Sequence, residues 1–174
     1  MNNRTFLLSL SLLLLRCAAP VDKSATNTPP AASLQDITPR VTGIGGIFFG
    51  SKDPAATRDW YGKHLGLAVD PYGSPFEFRN ARRPDEINYL RWSPVSSGDP
   101  FFNPSGKEFM INYRVQHIEA LVRNLRAGGV QVLDSIQTVE YGKFVHLLDP
   151  EGNKIELWEP VDSVLTQLGG ATTK

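Results

Sequence analysis

Past residue 40 the chain alternates short apolar runs with Gly, Pro and Asp, and the runs fall into two sets of the same kind. Val41–Ser51 (VTGIGGIFFGS) reads as a Gly-bearing strand that runs into Lys52-Asp53-Pro54. There Asp53 suits a helix N-cap and Pro54 the first helical position. The helix is expected to carry Ala56, Trp60 and Tyr61 towards a core and to stop at His64-Leu65-Gly66. Strands are predicted at Leu67–Asp70, Phe76–Arg79 and Ile87–Ser93. The second set repeats the order: a strand at Glu108–Val115, then a helix at His117–Ala127. In that helix Ile118, Leu121, Val122 and Leu125 recur at helical spacing, and Gly128-Gly129 ends it. Strands at Val130–Leu133, Lys143–Leu148 and Lys154–Glu159 complete it. Both halves close alike, on Leu90-Arg91-Trp92-Ser93-Pro94 and Glu156-Leu157-Trp158-Glu159-Pro160. A repeat of about fifty residues points to one supersecondary unit used twice.

The last hairpin fixes a register. Asp149-Pro150-Glu151-Gly152-Asn153 is a turn, and pairing Val145 with Leu157 and Leu147 with Ile155 puts four aliphatic side chains on one face. The other face then carries Phe144, His146, Leu148, Lys154, Glu156 and Trp158, with His146 opposite Glu156. Shifting the register by one residue mixes the two sets. The second face has the composition of a pocket wall, with a solvated sheet face as the competing reading.

The segment ahead of the repeat has another character. Met1–Arg4 is polar and positive, and Thr5–Leu15 (TFLLSLSLLLL) is almost wholly apolar. That run is too short to span a bilayer and suits the core of a secretory signal over residues 1–16. Cys17 follows at once and resembles the lipidated residue of a bacterial lipoprotein, which implies a periplasmic protein tethered at the membrane. A cut near Ala25, or a start codon placed ahead of a cytoplasmic domain, are the competing readings. Residues 17–39 are rich in Ala, Ser, Thr and Pro without an apolar period, and read as a flexible linker. The domain is expected over residues 40–161, with modules at 41–94 and 107–160 and a frayed tail at 162–174.

Charge and composition narrow the function classes. The 174 residues hold 18 Lys+Arg and 18 Asp+Glu, a balance that argues against a protein living by phosphate neutralisation. Loss of residues 1–16 removes Arg4 and Arg16 and no acid, leaving a mildly acidic mature chain. One cysteine excludes an internal disulfide framework. His64 and His117 fall at a helix end and a helix start, and Arg79, Arg82 and Arg83 share a polar loop with Asp85 and Glu86. Gly43-Ile44-Gly45-Gly46 lacks the third glycine of a dinucleotide fingerprint; these glycines are expected to permit a close approach to the strand or to leave room beside it. Phe101-Phe102, in the long join Ser93–Lys107, is expected to pack over a pocket edge or a dimer interface.

The residues that carry a family likeness are Asp53-Pro54, Trp60-Tyr61 and His64-Leu65-Gly66-Leu67 in the first half. In the second they are Asn112-Tyr113-Arg114-Val115, Leu125–Val130 and Asp149-Pro150-Glu151-Gly152-Asn153-Lys154-Ile155-Glu156-Leu157. With these, Val41 to Pro160 resembles the vicinal oxygen chelate superfamily of glyoxalase I, the bleomycin and fosfomycin resistance proteins and the extradiol dioxygenases. The resemblance implies an α+β fold, two paired βαβββ modules curling a partly open sheet around a pocket, and often a homodimer. It also implies four metal-ligand positions, which fall here on Gly46, Leu90, Met110 and Glu156. Only Glu156 keeps a ligand, since Gly and Leu lack donor atoms and a thioether suits hard cations poorly. No metal or other cofactor is therefore expected.

What remains is a concave site lined, by strand alternation, with Phe48, Trp92, Met110, Asn112, Phe144, His146, Glu156 and Trp158. Two functions fit it. One is binding of a small, partly aromatic molecule, as in the drug-sequestering branch of the superfamily. The other is a metal-independent lyase or isomerase with Glu156 as general base and His146 orienting it or relaying a proton. A tethered interaction module without a ligand is the third class, and an inert His146–Glu156 pair is the plain alternative to catalysis.

Overall fold

A computed structural model describes residues 36–174; the leader, Cys17 and nearly all of the linker lie outside them. The first strand, β1 (Arg40–Ser51), feeds α1 (Pro54–Leu65), which begins as its sequence predicts. Asp53 Oδ1 accepts the N–H of Ala56 at 3.0 Å, and Gly66 ends the helix in the left-handed region at φ 73°. Two further strands follow, β2 (Ser74–Arg79) and β3 (Ile87–Ser96). The second module comprises β4 (Phe109–Gln116), α2 (Ile118–Ala127), β5 (Gln137–Val139), β6 (Gly142–Leu148) and β7 (Lys154–Pro160). A last helix, α3 (Asp162–Leu168), closes the order.

All seven strands join one sheet in the order β2-β3-β1-β4-β7-β6-β5. This is a mixed α+β fold with a curved, open sheet. At its centre β1 and β4 run antiparallel, with Gly46 opposite Asn112 and Phe48 opposite Met110. Each is flanked by a parallel partner: Phe48 neighbours Ser93 of β3, and Asn112 neighbours Glu156 of β7. The β6–β7 hairpin has the register expected from the sequence, with Val145 opposite Leu157 and His146 opposite Glu156.

The aliphatic face of that hairpin meets α2. Val115, Ile118, Val122, Val145, Leu147 and Leu157 form the buried cluster, and Leu121, Leu125 and Ile155 pack against it. Each such side chain is worth about 1.5–3 kcal/mol when fully buried. The first module is covered more thinly: α1 buries no residue, Ala56 is exposed and Trp60 is 52% exposed. Tyr61 alone of the three expected core residues packs inwards, 4.5 Å from the ring of Trp92.

Three further predicted features differ. Leu67–Asp70 forms no strand and contributes a single bridge, Asp70 to Gly73. Val130–Leu133 makes only one bridge, Val132 to Leu147, and the short edge strand lies further on at Gln137–Val139. The C-terminal segment is docked rather than frayed. Thr173 donates its N–H to Pro75 O at 2.8 Å and accepts from Glu77 N at 3.0 Å. Its hydroxyl also meets Ala68 N and Ser74 Oγ. The reason is that β2 is a sheet edge with free backbone groups, and the tail satisfies them. No helix among the described residues is long and apolar enough to cross a membrane.

Candidate functional site

Strand alternation sets which side chains share the face turned away from α2. From β4 come Met110, Asn112 and Arg114, from β7 Lys154, Glu156 and Trp158, and from β6 Phe144, His146 and Leu148. β1 offers Phe48 and a stretch of bare backbone. Bulges between Val41 and Gly43 and between Ile44 and Gly46 turn successive glycines to this face. A Cβ on Gly45 would stand 2.7 Å from Trp158 Cε3 and 2.9 Å from Arg114 Cγ, and closer still to Asn112 Oδ1. The glycines therefore let Arg114 and Asn112 lie flat across β1.

At the centre is a chain of acids and bases. His146 Nε2 lies 3.0 Å from Glu156 Oε1, and His146 Nδ1 lies 2.6 Å from Asp134 Oδ2. Asp134 Oδ1 also accepts the backbone N–H of His146 at 2.8 Å, so the carboxylate grips the ring and its strand together. Asn112 Nδ2 donates to Glu156 Oε2 at 2.5 Å, while Asn112 Oδ1 is buried without a partner. Burial, the largest influence on His146, pulls its pKa down. The hydrogen bonds to Glu156 and Asp134 outweigh it and hold the pKa above the ordinary value. With an acceptor oxygen at each ring nitrogen, the doubly protonated imidazolium is the form that donates to both.

Aromatic side chains frame this chain. Trp158 stacks on Phe144 with rings 5.7 Å apart and 9° from parallel, and the Arg114 guanidinium lies 5.2 Å from its ring centroid. Its Nε1 donates to Tyr141 O at 3.2 Å. Trp158 is thus held from both neighbouring strands and serves as a wall. Phe48 meets Phe101 edge to face at 5.3 Å. Phe102 is buried beside Phe101, so the inter-module join packs onto this face. The groups left half-buried here are Phe48, Phe101, Phe144, His146 and Leu148. A shallow groove of about 340 Å³ bounded by Val139, Lys143, Glu159 and Val161 lies at the far end of β6 and includes none of these groups.

Of the eight lining residues expected from sequence, the structure brings seven to this face and parts one from them. Trp92 points the other way, against Phe49 at 5.3 Å and Tyr61 of α1. Met110 is fully buried and acts as floor. Asp134 and Arg114 come to the site from the tertiary structure alone, and Lys154, which the hairpin register already puts on this face, joins them. Lys154 carried a signal, since it shares the Glu156 face of β7. Asp134 carried none, because it reaches His146 from outside any strand.

A family model for the Glyoxalase/Bleomycin resistance protein/Dioxygenase superfamily matches residues 43–157. The chain belongs to that superfamily. No curated protein matches it. Among solved structures it is similar to a methylmalonyl-CoA epimerase from Streptomyces coelicolor bound to 2-nitronate-propionyl-CoA. Identity is 18%, the match covers 70% of this chain and 99% of that one, and the TM-score is 0.52. A methylmalonyl-CoA epimerase bound to methylmalonyl-CoA and NH4+ is similar at 19% identity, 70% and 96% coverage and a TM-score of 0.50. A superfamily member from Vibrio splendidus matches at 17% identity, 70% and 99% coverage and a TM-score of 0.43. At these identities the likeness is one of fold.

The superfamily's metal positions can now be placed. The strand ladders correct one of them: since Phe48 pairs with Ser93 as Asn112 pairs with Glu156, the counterpart of Glu156 is Ser93 and not Leu90. The Trp-x-Pro repeat misaligned the modules because Trp92 and Trp158 lie on opposite faces. Ser93 Oγ donates to Tyr72 O, and a Cβ on Gly46 would already stand 2.8 Å from the Phe48 ring. Both oxygens of Glu156 are engaged by His146 and Asn112. These residues do not fit a divalent cation. Among the described residues no group of three His, Cys, Asp or Glu side chains is placed to hold one.

Proposed function

We propose that this protein is a metal-independent lyase or isomerase acting on a small, partly aromatic molecule, with Glu156 as the general base. The observation that carries the reading is the Asp134–His146–Glu156 chain, in which each hydrogen bond lies between 2.6 and 3.0 Å. A carboxylate held beside an imidazolium in a largely apolar setting can take a proton from a carbon acid and return it to the same molecule. His146 steadies the Glu156 charge, and Asp134 steadies His146. Phe48, Phe101 and Phe144 supply flat apolar contacts for the substrate's ring. The likeness to the epimerases supports the fold and lends nothing to the reaction.

The test is hydrogen–deuterium exchange at the carbon next to a carbonyl, followed by NMR across a panel of small aryl ketones and acids. Wild type should accelerate exchange of some member, and Glu156→Gln should lower that rate by roughly 10²–10⁴-fold with unchanged melting. Undiminished exchange in Glu156→Gln sinks the role. Binding without turnover is the second reading, favoured because both Glu156 oxygens already have partners; ligands recovered unchanged with no exchange would establish it.

In the same reading the protein is exported and held at the periplasmic face of a membrane through Cys17, on the strength of its leader alone. A homodimer is supported by Ile44, Ile47 and Phe109, which stand exposed on neighbouring strands of the opposite sheet face.

A further inference from the structure

Lys154 sits on β7 two residues before Glu156 and is 9% exposed. A lysine so buried ordinarily has a carboxylate against it. Among the described residues none lies within ion-pair distance of it. Its Nζ donates to the backbone carbonyl of Phe101 at 2.7 Å and lies 5.5 Å from the centre of that ring. An ammonium has three N–H donors, and a neutral carbonyl takes one. The nearby acids are occupied: Glu156 by His146 and Asn112, and Asp134 by His146. Burial, the largest influence, holds the Lys154 pKa below its ordinary value, with the charges of Glu156 and Asp134 opposing it. An ammonium with spare donors beside apolar rings is costly to keep.

Resting on the reading of this face as the ligand site, we infer that Lys154 is its anion-recognising residue, and that the ligand is a small aromatic compound bearing a carboxylate. The carboxylate takes the free Lys154 N–H donors. The ring lies against Phe48 and Phe101, which the lysine itself holds in place through the Phe101 carbonyl. Glu156, on the same face of the same strand, then stands beside the carbons next to the carboxylate. Lys154 thus selects acids over their neutral analogues.

The experiment compares phenylacetate with phenylacetamide, binding to the full chain, by NMR titration. Wild type should prefer the acid by tenfold or more. Lys154→Met, which keeps the apolar stem, should lose that preference while still binding the amide. Equal weakening of both probes in Lys154→Met would assign the lysine to bracing Phe101 alone and overturn the inference. So would equal affinity for the two probes in wild type. If wild type binds neither probe, the reading of the face as a ligand site fails as well. Should Lys154→Met not fold, Lys154→Gln, whose amide still reaches towards Phe101, carries the same outcomes. Phe101→Ala leaves the carbonyl in place and should weaken both probes while keeping the preference.

Discussion

His146 and Glu156 face each other across the β6–β7 hairpin, 3.0 Å apart between Nε2 and Oε1, with Asp134 closing on the other ring nitrogen. The arrangement ties folding to protonation. Because the folded pKa of His146 is raised, its contribution to stability is fully present below the unfolded value and is lost as pH rises through the folded one. Urea unfolding from mildly acidic to mildly alkaline pH should therefore show stability falling over that window. His146→Gln should flatten the fall, and an unaltered profile in that variant would remove His146 as its source.

Gly45 is the second point of stress. Any side chain there meets Trp158 and Arg114 at under 3.0 Å, and both of those are buried and tied to neighbours. Gly45→Ala should cost roughly 1–3 kcal/mol in urea unfolding, the usual penalty for overpacking. Gly106→Ala meets nothing within 4 Å and should change stability by less than about 0.5 kcal/mol. Equal effects at the two positions would mean that Arg114 and Asn112 do not lie across β1.

Arg114 holds the start of α3 together with Asn88, which donates to Asp162, while Tyr89 hydrogen-bonds Thr166 a turn further on. That guanidinium, 5% exposed, pairs with Asp162 and also donates to Tyr89 O at 3.1 Å. Asp162→Ala should cost about 3 kcal/mol, because it strands a buried cation. Arg114→Met combined with Asp162→Ala should recover part of the loss. Protease sensitivity after Pro160 gives an independent readout: the single variant should be nicked there sooner than wild type. A neutral Asp162→Ala would show the helix held by other means.

Much of this architecture is written locally. Asp53, Pro54 and Gly66 act on backbone groups within a turn of themselves, so both ends of α1 follow from residue type. The aliphatic set Val145, Leu147, Ile155 and Leu157 admits one register only, and that register brings His146 opposite Glu156. The repeated strand–helix–strand order was legible in the period of the apolar positions, although the first module forms β1-α1-β2-β3 with one strand fewer than the second. The misplacing of Leu90 and Trp92 came where one local pattern served two tertiary settings. Trp92 and Trp158 share a Trp-x-Pro context, yet Trp92 packs under α1 and Trp158 stands on the site face.

By itself, then, the sequence determined the two modules, the helix boundaries of α1 and the partnership of His146 with Glu156, because these depend on period and on turn chemistry. Only the tertiary structure decided that Asp134 completes the chain, that Arg114 and Asn112 fill the space above the β1 glycines, and that Lys154 is buried without a counter-ion. Apart from Asp134, which loops back from just ahead of the β5–β6 hairpin, those contacts join segments far apart in the chain. No periodicity along one strand encodes which distant side chain arrives to meet it.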